Sequence, residues 1–311
     1  NDNPRILVHT SGSTGKPKPL MVEKRRMLNS ARITCDFLGL KPGDTALLCM
    51  PLDYIAGKMM VVRSLQRDLR FTSVRPSSHP LADDTLPSFT FAAMVPMQVY
   101  NTLKVPCERE RLMRIRHLII GGGAISDELA QMIKPLPNAV WSTYGMTETL
   151  SHIALRRLNG PDASLWYTPF DGVGISLNAD GCLVIDAPEV CADPLVTNDI
   201  AQLRTDDRTG KTLFRIKGRK DNVVCSGGIK IQIEEVEETL RPHLSAPFMI
   251  VKKQDEMLGE KAILLTESAD LTRIEEICRN TLPKYWVPRE FLHIDHLPLT
   301  ETGKPKRSGA F

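Results

Sequence analysis

The stretch of this chain best suited to chemistry is Thr10-Ser11-Gly12-Ser13-Thr14-Gly15-Lys16-Pro17-Lys18. Its glycines let backbone N–H groups turn toward an anion, its hydroxyls add donors, and Lys16 and Lys18 add charge, a combination that suits polyphosphate. It is not a Walker A loop, because only two residues separate Gly12 from Gly15 and Pro17 follows Lys16 where Ser or Thr is required. A short apolar run, Arg5–His9, feeds directly into the loop, which favours a phosphate site over a surface turn of the same composition. No Ser–His–Asp or Cys–His arrangement stands out. Cys35, Cys49, Cys107, Cys182, Cys191, Cys225 and Cys278 form no Cys-x-x-Cys pair. His293 and His296 flank Ile294 beside Asp295 and read as strand or loop rather than as metal ligands.

The elements that must hold such a loop alternate. Arg5–His9 reads as a short buried strand, and residues 23–38 carry Met27, Leu28, Ala31, Cys35 and Leu38 as one stripe at helical spacing. Strand is expected at 45–50, helix at 57–66, strand at 70–74, helix at 94–103, strand at 117–120, helix at 126–134 and strand at 139–142. Alternation of this kind predicts parallel βαβ units covered on both faces. From Gly160 to Gly210 the texture changes to Gly, Pro, Asp and Asn turns with short strands such as 182–185. A smaller pattern follows: helix at 232–241, strands at 248–251 and 262–266, helix at 271–282 and strand at 291–294. A domain boundary is therefore expected near Asp221.

Composition narrows the class but not the activity. The chain has 311 residues, 42% hydrophobic and 25% charged, enough for a large core. Its net charge, 40 − 37 = +3, is too small to argue for nucleic acid or an anionic membrane. No run approaches the roughly 18 apolar residues of a membrane span. The opening Asn1-Asp2-Asn3-Pro4 is neither basic nor apolar, as a secretory leader would be. Scattered cysteines, odd in number, predict reduced thiols in a cytoplasmic protein.

The order of residues in the loop resembles the phosphate loop of the adenylate-forming superfamily, which contains acyl-CoA synthetases, luciferases and peptide-synthetase adenylation domains. Six further segments resemble that family's motifs, in family order. Gly121-Gly122-Gly123-Ala124 resembles its adenine-binding segment. Tyr144-Gly145-Met146-Thr147-Glu148-Thr149 resembles its most diagnostic motif, in which the Tyr supports adenine, the Thr meets the α-phosphate and the Glu holds Mg²⁺. Thr197-Asn198-Asp199 stands where the family has Thr-Gly-Asp, the Asp gripping ribose. Gly218-Arg219-Lys220-Asp221 resembles the junction motif, whose Arg reaches ribose and whose acid is the hinge. Ser226-Gly227-Gly228-Ile229-Lys230-Ile231 resembles the loop bordering the pantetheine channel. Pro298-Leu299-Thr300-Glu301-Thr302-Gly303-Lys304 resembles the terminal motif that carries the adenylation lysine. Each segment alone has a plain reading: a tight turn for Gly121–Gly123, a helix N-terminal acid for Glu148, a tail charge for Lys304. Their joint order does not.

The resemblance implies an α/β fold. A large N-terminal domain with mostly parallel sheets and flanking helices (residues 1–220) binds ATP and acid. A small mobile α+β C-terminal domain (residues 221–311) carries Lys304. Relatives normally have a long segment before the phosphate loop, so this chain is expected to be N-terminally short. ATP, Mg²⁺ on Glu148 and coenzyme A as acyl acceptor are implied. The expected ATP site is Thr10–Gly15, Lys16, Lys18, Gly122, Gly123, Ala124, Tyr144–Met146, Asp199 and Arg219, with Thr147, Glu148 and Lys304 catalytic. Asp221 is the expected pivot, and Gly227, Gly228 and Lys230 the expected CoA contacts.

The acid is less explicit. Met50–Gly57 with Val61–Leu65, Val95–Val99, and Thr147–His152 look like the corresponding segments of o-succinylbenzoate–CoA ligases of menaquinone biosynthesis. Tyr54, Arg63 and His152 are the implied acid pocket, and Arg63 would balance the spare carboxylate. A surface arginine on helix 57–66 is at least as good a reading. Asp53 and Tyr54 replace an aromatic–His pair, His152 replaces Gln, and Asn198 replaces Gly. Ligation of another aryl or short acyl acid, an adenylation domain with a non-CoA acceptor, and a non-catalytic nucleotide-binding regulator stay open, as does a homodimer. Retention of Thr147, Glu148, Asp199 and Lys304 argues against the regulator.

Overall fold

Apolar runs too short for helices become strands here, and the amphipathic stretches between them become covering helices. The protein is seen in a computed structural model that describes residues 3–9, 19–123, 125–299 and 306–307. Thr10–Lys18, Ala124 and Lys304 lie outside the described residues. The chain divides into two units, one of Asn1–Ser176, Val184–Leu195 and Leu203–Arg215, the other of Leu177–Leu183, Val196–Gln202 and Ile216–Phe311.

The first unit opens with β1 (Arg5–His9) and β2 (Pro19–Glu23), paired antiparallel. The expected buried strand is thus corrected. Leu7 and Met21, cross-strand partners, are exposed, while Val8 and Val22 turn inward, because a two-stranded ribbon has one covered face. Helix α1 (Lys24–Phe37) then buries Met27, Ala31 and Cys35 of the expected stripe, and also Ser30 and Thr34, but leaves Leu28 exposed.

The main sheet follows: β3 (Thr45–Leu48), α2 (Ile55–Arg67), β4 (Arg70–Ser73), β5 (Phe91–Met94), α3 (Pro96–Lys104), α4 (Pro106–Met113), β6 (His117–Ile120), α5 (Asp127–Ile133), β7 (Ala139–Gly145), β8 (His152–Arg157) and the two-residue β9 (Thr168–Pro169). Its spatial order is β4-β3-β5-β6-β7-β8-β9, parallel as far as β7 and antiparallel beyond. All four residues of β5 are buried, as a parallel strand covered on both faces requires. Full burial of Phe91, Leu118 and Ile120 contributes about 1.5–3 kcal/mol each before entropic costs. The expected helix at 94–103 is corrected too. Pro96 has no N–H and fixes φ for a first helical turn, so β5 ends at Met94 and α3 begins two residues later. Buried Gln98 accepts from the Val95 N–H at 3.1 Å and donates to the Cys49 and Ser77 carbonyls. The helix α4 and strand β5 gave no separate signal in the sequence.

A four-stranded sheet, β10 (Gly174–Leu177), β11 (Cys182–Asp186), β12 (Leu195–Thr205) and β13 (Thr212–Arg219), occupies the turn-rich stretch. Beyond it, β14 (Val223–Ser226), β15 (Ile229–Gln232), α6 (Ile233–Leu240), β16 (Phe248–Asp255), β17 (Gly259–Thr266), α7 (Leu271–Thr281) and β18 (Glu290–His293) build an α+β unit. One edge of β17 takes β16 along its length; the other takes β14 at Gly259 and β18 from Ile263 onward. Val236, Leu240, Ile274 and Cys278 of the helices pack on Ile250 and Leu264, while Met249, Val251, Ile263 and Leu265 face the opposite side. No helix among the described residues is long and apolar enough to cross a membrane.

Candidate active site

In the first unit the motif residues gather at the carboxyl ends of β6 and β7. Gly121 follows β6, and a Cβ there would lie 2.6 Å from Thr143 Oγ1. Gly122 adopts φ +79°, a conformation that only glycine takes without strain. A Cβ on Gly123 would sit 3.2 Å from Pro96 Cγ. Small residues are therefore favoured here by the Thr143 side chain, by the left-handed backbone at Gly122 and by Pro96, and none of the three glycines is buried.

Tyr144 and Gly145 end β7, and the pairing with β8 shifts register between them. The Tyr144 ring is half-buried, edge-on to Phe214 at 5.0 Å and tilted against Tyr167 at 5.7 Å. Tyr167 and Phe214 stack on each other, and the Tyr167 hydroxyl reaches Ser142 Oγ at 2.9 Å. Met146 is half-buried. From Met146 the chain makes a tight turn. Buried Thr149 Oγ1 accepts from the Met146 N–H at 3.0 Å, and its hydroxyl lies 2.7 Å from the Ser151 carbonyl. Leu150 is held at φ +65°, unusual for a branched residue and a mark of a turn determined by its surroundings. This turn buries Thr147 and leaves Glu148 exposed.

Glu148 makes no hydrogen bond or ion pair with the described residues, and no group of three or more His, Cys, Asp or Glu among them forms a metal cluster. A single carboxylate with free oxygens fits Mg²⁺, which keeps several waters and takes one or two protein carboxylates beside substrate phosphates.

Beside the turn lie two of the residues expected in the acid pocket, Arg63 and His152. Arg63 is 2% exposed on α2, with no carboxylate partner among the described residues. One terminal nitrogen donates to Ser151 Oγ, the other lies 3.9 Å from Met60 Sδ, and Nε has no partner. Burial pulls its pKa down to about 10, which leaves it charged at neutral pH. His152 is buried beside it. Its Nδ1 lies 3.2 Å from Ser151 Oγ and its Nε2 3.1 Å from Thr34 Oγ1. Burial, then the Arg63 charge, hold its pKa well below the ordinary imidazole range. Tyr54 precedes α2, exposed, and no hydrogen bond or ring contact joins it to Arg63 or His152 among the described residues.

The second unit holds the other motifs. Buried Thr197 donates to the Leu183 carbonyl and accepts from the Asp199 N–H at 3.1 Å, which fixes Asp199 on β12. Arg219 bridges Asp199 at 3.1 Å and Asp221 at 2.9 Å. Burial works against its charge, but Asp221 and Asp199 outweigh that and hold it above its ordinary range. Asn198 approaches Asp221 Oδ2 at 3.3 Å, so Asp221 is tied from two sides. Gly227 and Gly228 are the two loop residues of the β14–β15 hairpin, with φ +57° and +81°, the geometry a tight primed turn demands. Lys230 is exposed on β15, opposite Cys225.

Sequence reasoning missed Ser151, Thr34, Tyr167 and Phe214 as partners of these residues. Ser30 and Thr34, hydroxyls four apart on the buried face of α1, were a signal. Tyr167, in turn-rich chain, gave none.

A family model described as AMP-binding enzyme matches residues 1–191. The chain is 26% identical to a 2-succinylbenzoate–CoA ligase of Bacillus mycoides (strain KBAB4) over 96% of its length and 68% of that protein's. It is 25% identical to a ligase of the same name from Bacillus cereus, over 96% and 67%. Its structure is similar to that of an acyl-CoA synthetase (AMP-forming)/AMP-acid ligase II-like protein from Dyadobacter fermentans DSM 18053, with 33% identity and TM-score 0.67, covering 98% of this chain and 88% of that one. An o-succinylbenzoate coenzyme A synthetase from Bacillus subtilis, solved with ATP and magnesium ion, shares the fold at TM-score 0.77 and 23% identity, over 97% and 69%. A match across more than half of the chain, and a 33% identical relative covered almost throughout, establish that this protein belongs to the AMP-binding enzyme family.

Proposed function

We propose that the protein is an AMP-forming acid–CoA ligase whose acid is o-succinylbenzoate. A carboxylate is a poor electrophile because its oxygen does not leave. Attack of that oxygen on the α-phosphorus of ATP releases pyrophosphate and makes the oxygen part of a phosphate ester, a good leaving group; a thiol then displaces AMP to form the thioester. Two anions must meet in the first step, so positive charge positioned for the transition state is the main requirement. Lys304 and the loop lysines Lys16 and Lys18 supply it, and Thr147 donates to the α-phosphate. Glu148 holds Mg²⁺, which when bound neutralises phosphate charge. Gly122, Gly123 and Tyr144 accept the adenine, and Asp199 and Arg219 the ribose. The large domain, 1–220, binds ATP and acid, and the small one, 221–311, carries Lys304 and the Gly227–Gly228 turn beside pantetheine.

One observation carries the choice of acid. Arg63 is a buried cation with no anionic partner among the described residues and an unpaired Nε. An isolated buried charge is costly unless something pairs with it. The ring carboxylate that o-succinylbenzoate keeps when its succinyl carboxylate is activated would do so. Tyr54 and His152 belong to the same proposed pocket.

The purified protein, given Mg-ATP, CoA and a panel of acids, is expected to convert o-succinylbenzoate far better than benzoate, succinate or fatty acids, followed as thioester by mass. A different preferred acid would overturn the pocket reading and leave the ligase reading standing. Adenylate without thioester would point to another acceptor. Arg63→Met is expected to lower kcat/KM for o-succinylbenzoate on the order of 30-fold, the worth of hydrogen bonds to a charged group, and to spare β-benzoylpropionate, which lacks the ring carboxylate. Equal losses on both acids would refute a role in recognition. For the proposed pivot, Asp221→Pro is expected to spare acid-dependent pyrophosphate release and block thioester formation; equal loss of both half-reactions would remove that role.

A further inference from the structure

Four polar side chains, from two helices, a strand and the turn before it, form one continuous chain of hydrogen bonds in the first unit. Arg63 of α2 meets Ser151 of the β7–β8 turn, Ser151 meets His152 of β8, His152 meets Thr34 of α1, and the Thr34 hydroxyl meets the Ser30 carbonyl at 3.1 Å. Its direction follows from proton counting. A guanidinium only donates, so Ser151 Oγ accepts from Arg63. At the other end a carbonyl only accepts, so the Thr34 proton goes to Ser30. The one assignment in line with both sends the Ser151 proton to His152 Nδ1. A neutral imidazole then carries its proton on Nε2 and gives it to Thr34 Oγ1, whose own proton goes to Ser30. Every group donates once in the same sense, and the relay ends on a helix carbonyl.

We propose that Ser151, His152 and Thr34 are positioning residues for the acid-binding arginine. Their one-way relay fixes the Arg63 guanidinium by one terminal nitrogen and leaves Nε for the second carboxylate of a dicarboxylic substrate. The proposal rests on the reading of Arg63 as the carboxylate partner. Without the relay a long side chain would sample several rotamers, and ordering it would subtract from binding. The low imidazole pKa agrees with a neutral His152, since a second cation beside Arg63 would break the Ser151 bond. His152 touches Arg63 only through Ser151, so it acts on the arginine indirectly.

The test compares KM for o-succinylbenzoate and β-benzoylpropionate (Ki if the latter is not turned over) in the wild type and in Arg63→Met, His152→Leu, His152→Gln and Thr34→Val. His152→Leu and Thr34→Val are expected to raise the ratio of the first KM to the second about tenfold, by loosening a charge-assisted contact. His152→Gln, which keeps one donor and one acceptor, is expected to restore it. Thr34→Val breaks the far end at nearly constant volume and serves if His152→Leu does not fold. A ratio unchanged in His152→Leu and Thr34→Val while Arg63→Met raises it would overturn the relay and leave the Arg63 reading intact, as would failure of His152→Gln to restore the ratio. An unchanged ratio in Arg63→Met would overturn that reading and the relay with it.

Discussion

Lys304→Ala is expected to lower acid-dependent pyrophosphate release by about 10²–10³-fold, the cost of losing one charge aimed at a transition state. Conversion of supplied acyl-adenylate to thioester with CoA is expected to stay within a fewfold of wild type, because the second step no longer joins two anions. Lys304 itself lies outside the described residues; of the residues near it in sequence, Pro298, Lys306 and Arg307 are described. Lys306 N–H donates to the Pro298 carbonyl at 2.8 Å. Arg307 pairs with Glu237 at 2.6 Å and donates to the Ile250 carbonyl at 3.2 Å, while Glu237 also accepts from Ile250 N–H. Burial raises the Glu237 pKa and Arg307 opposes it, as in a pair that folding has largely desolvated. Stopped-flow or isotope-exchange measurement of the two half-reactions decides the matter. Equal loss of both, or loss of neither, would remove Lys304 from the first step.

Much of the fold was readable because its strongest elements are local. The stripe of α1 and the continuous apolar runs of β3 and β6 announce themselves at short range. The Pro96 boundary was written in the sequence as well, yet Met94 could serve either the end of a strand or the start of a helix, and the inward packing of β5 decides it. Long β12 and β13 were missed because their burial is irregular, so neither alternation nor an unbroken apolar run marks them. The site divides the same way. Gly121–Gly123 and the Tyr144–Thr149 turn were legible through their resemblance to family motifs, and the structure supplies the steric reason for their glycines. Arg63 was not separable from a surface arginine, because its partner Ser151, and His152 and Thr34 beyond it, lie 88, 89 and 29 residues away along the chain. Relations of that range are made by the fold, and no periodicity encodes them.

Gly145→Ala is the structural counterpart of the lysine test, and it is expected to cost both stability and activity. A Cβ at this position would fall on the Ser151 carbonyl oxygen and 2.5 Å from His152 Cα. Both are backbone atoms, so no side chain can rotate away. The strand pair would have to part where its register already shifts, between Tyr144 and Gly145. Crowding of this kind costs about 3 kcal/mol, the upper end for overpacking. For a unit of this size that corresponds to a fall of roughly 6–12 °C in Tm. The same displacement would move Tyr144, the Thr147–Glu148 turn and the Ser151–His152 pair together, so adenylation should fall more steeply than the unfolded fraction explains. Gly174→Ala is the control: its Cβ would meet Asp186 Cβ at 3.6 Å, ordinary contact, and its φ is not in the left-handed region. There the lost chain entropy of the unfolded state predicts a neutral or slightly positive change of about 0.4–1 kcal/mol. Thermal unfolding of both variants, with pyrophosphate release measured well below the transition, separates the two effects. If Gly145→Ala melts with the wild type and keeps its rate, the close approach of β7 to the β8 turn is not what holds this motif in shape.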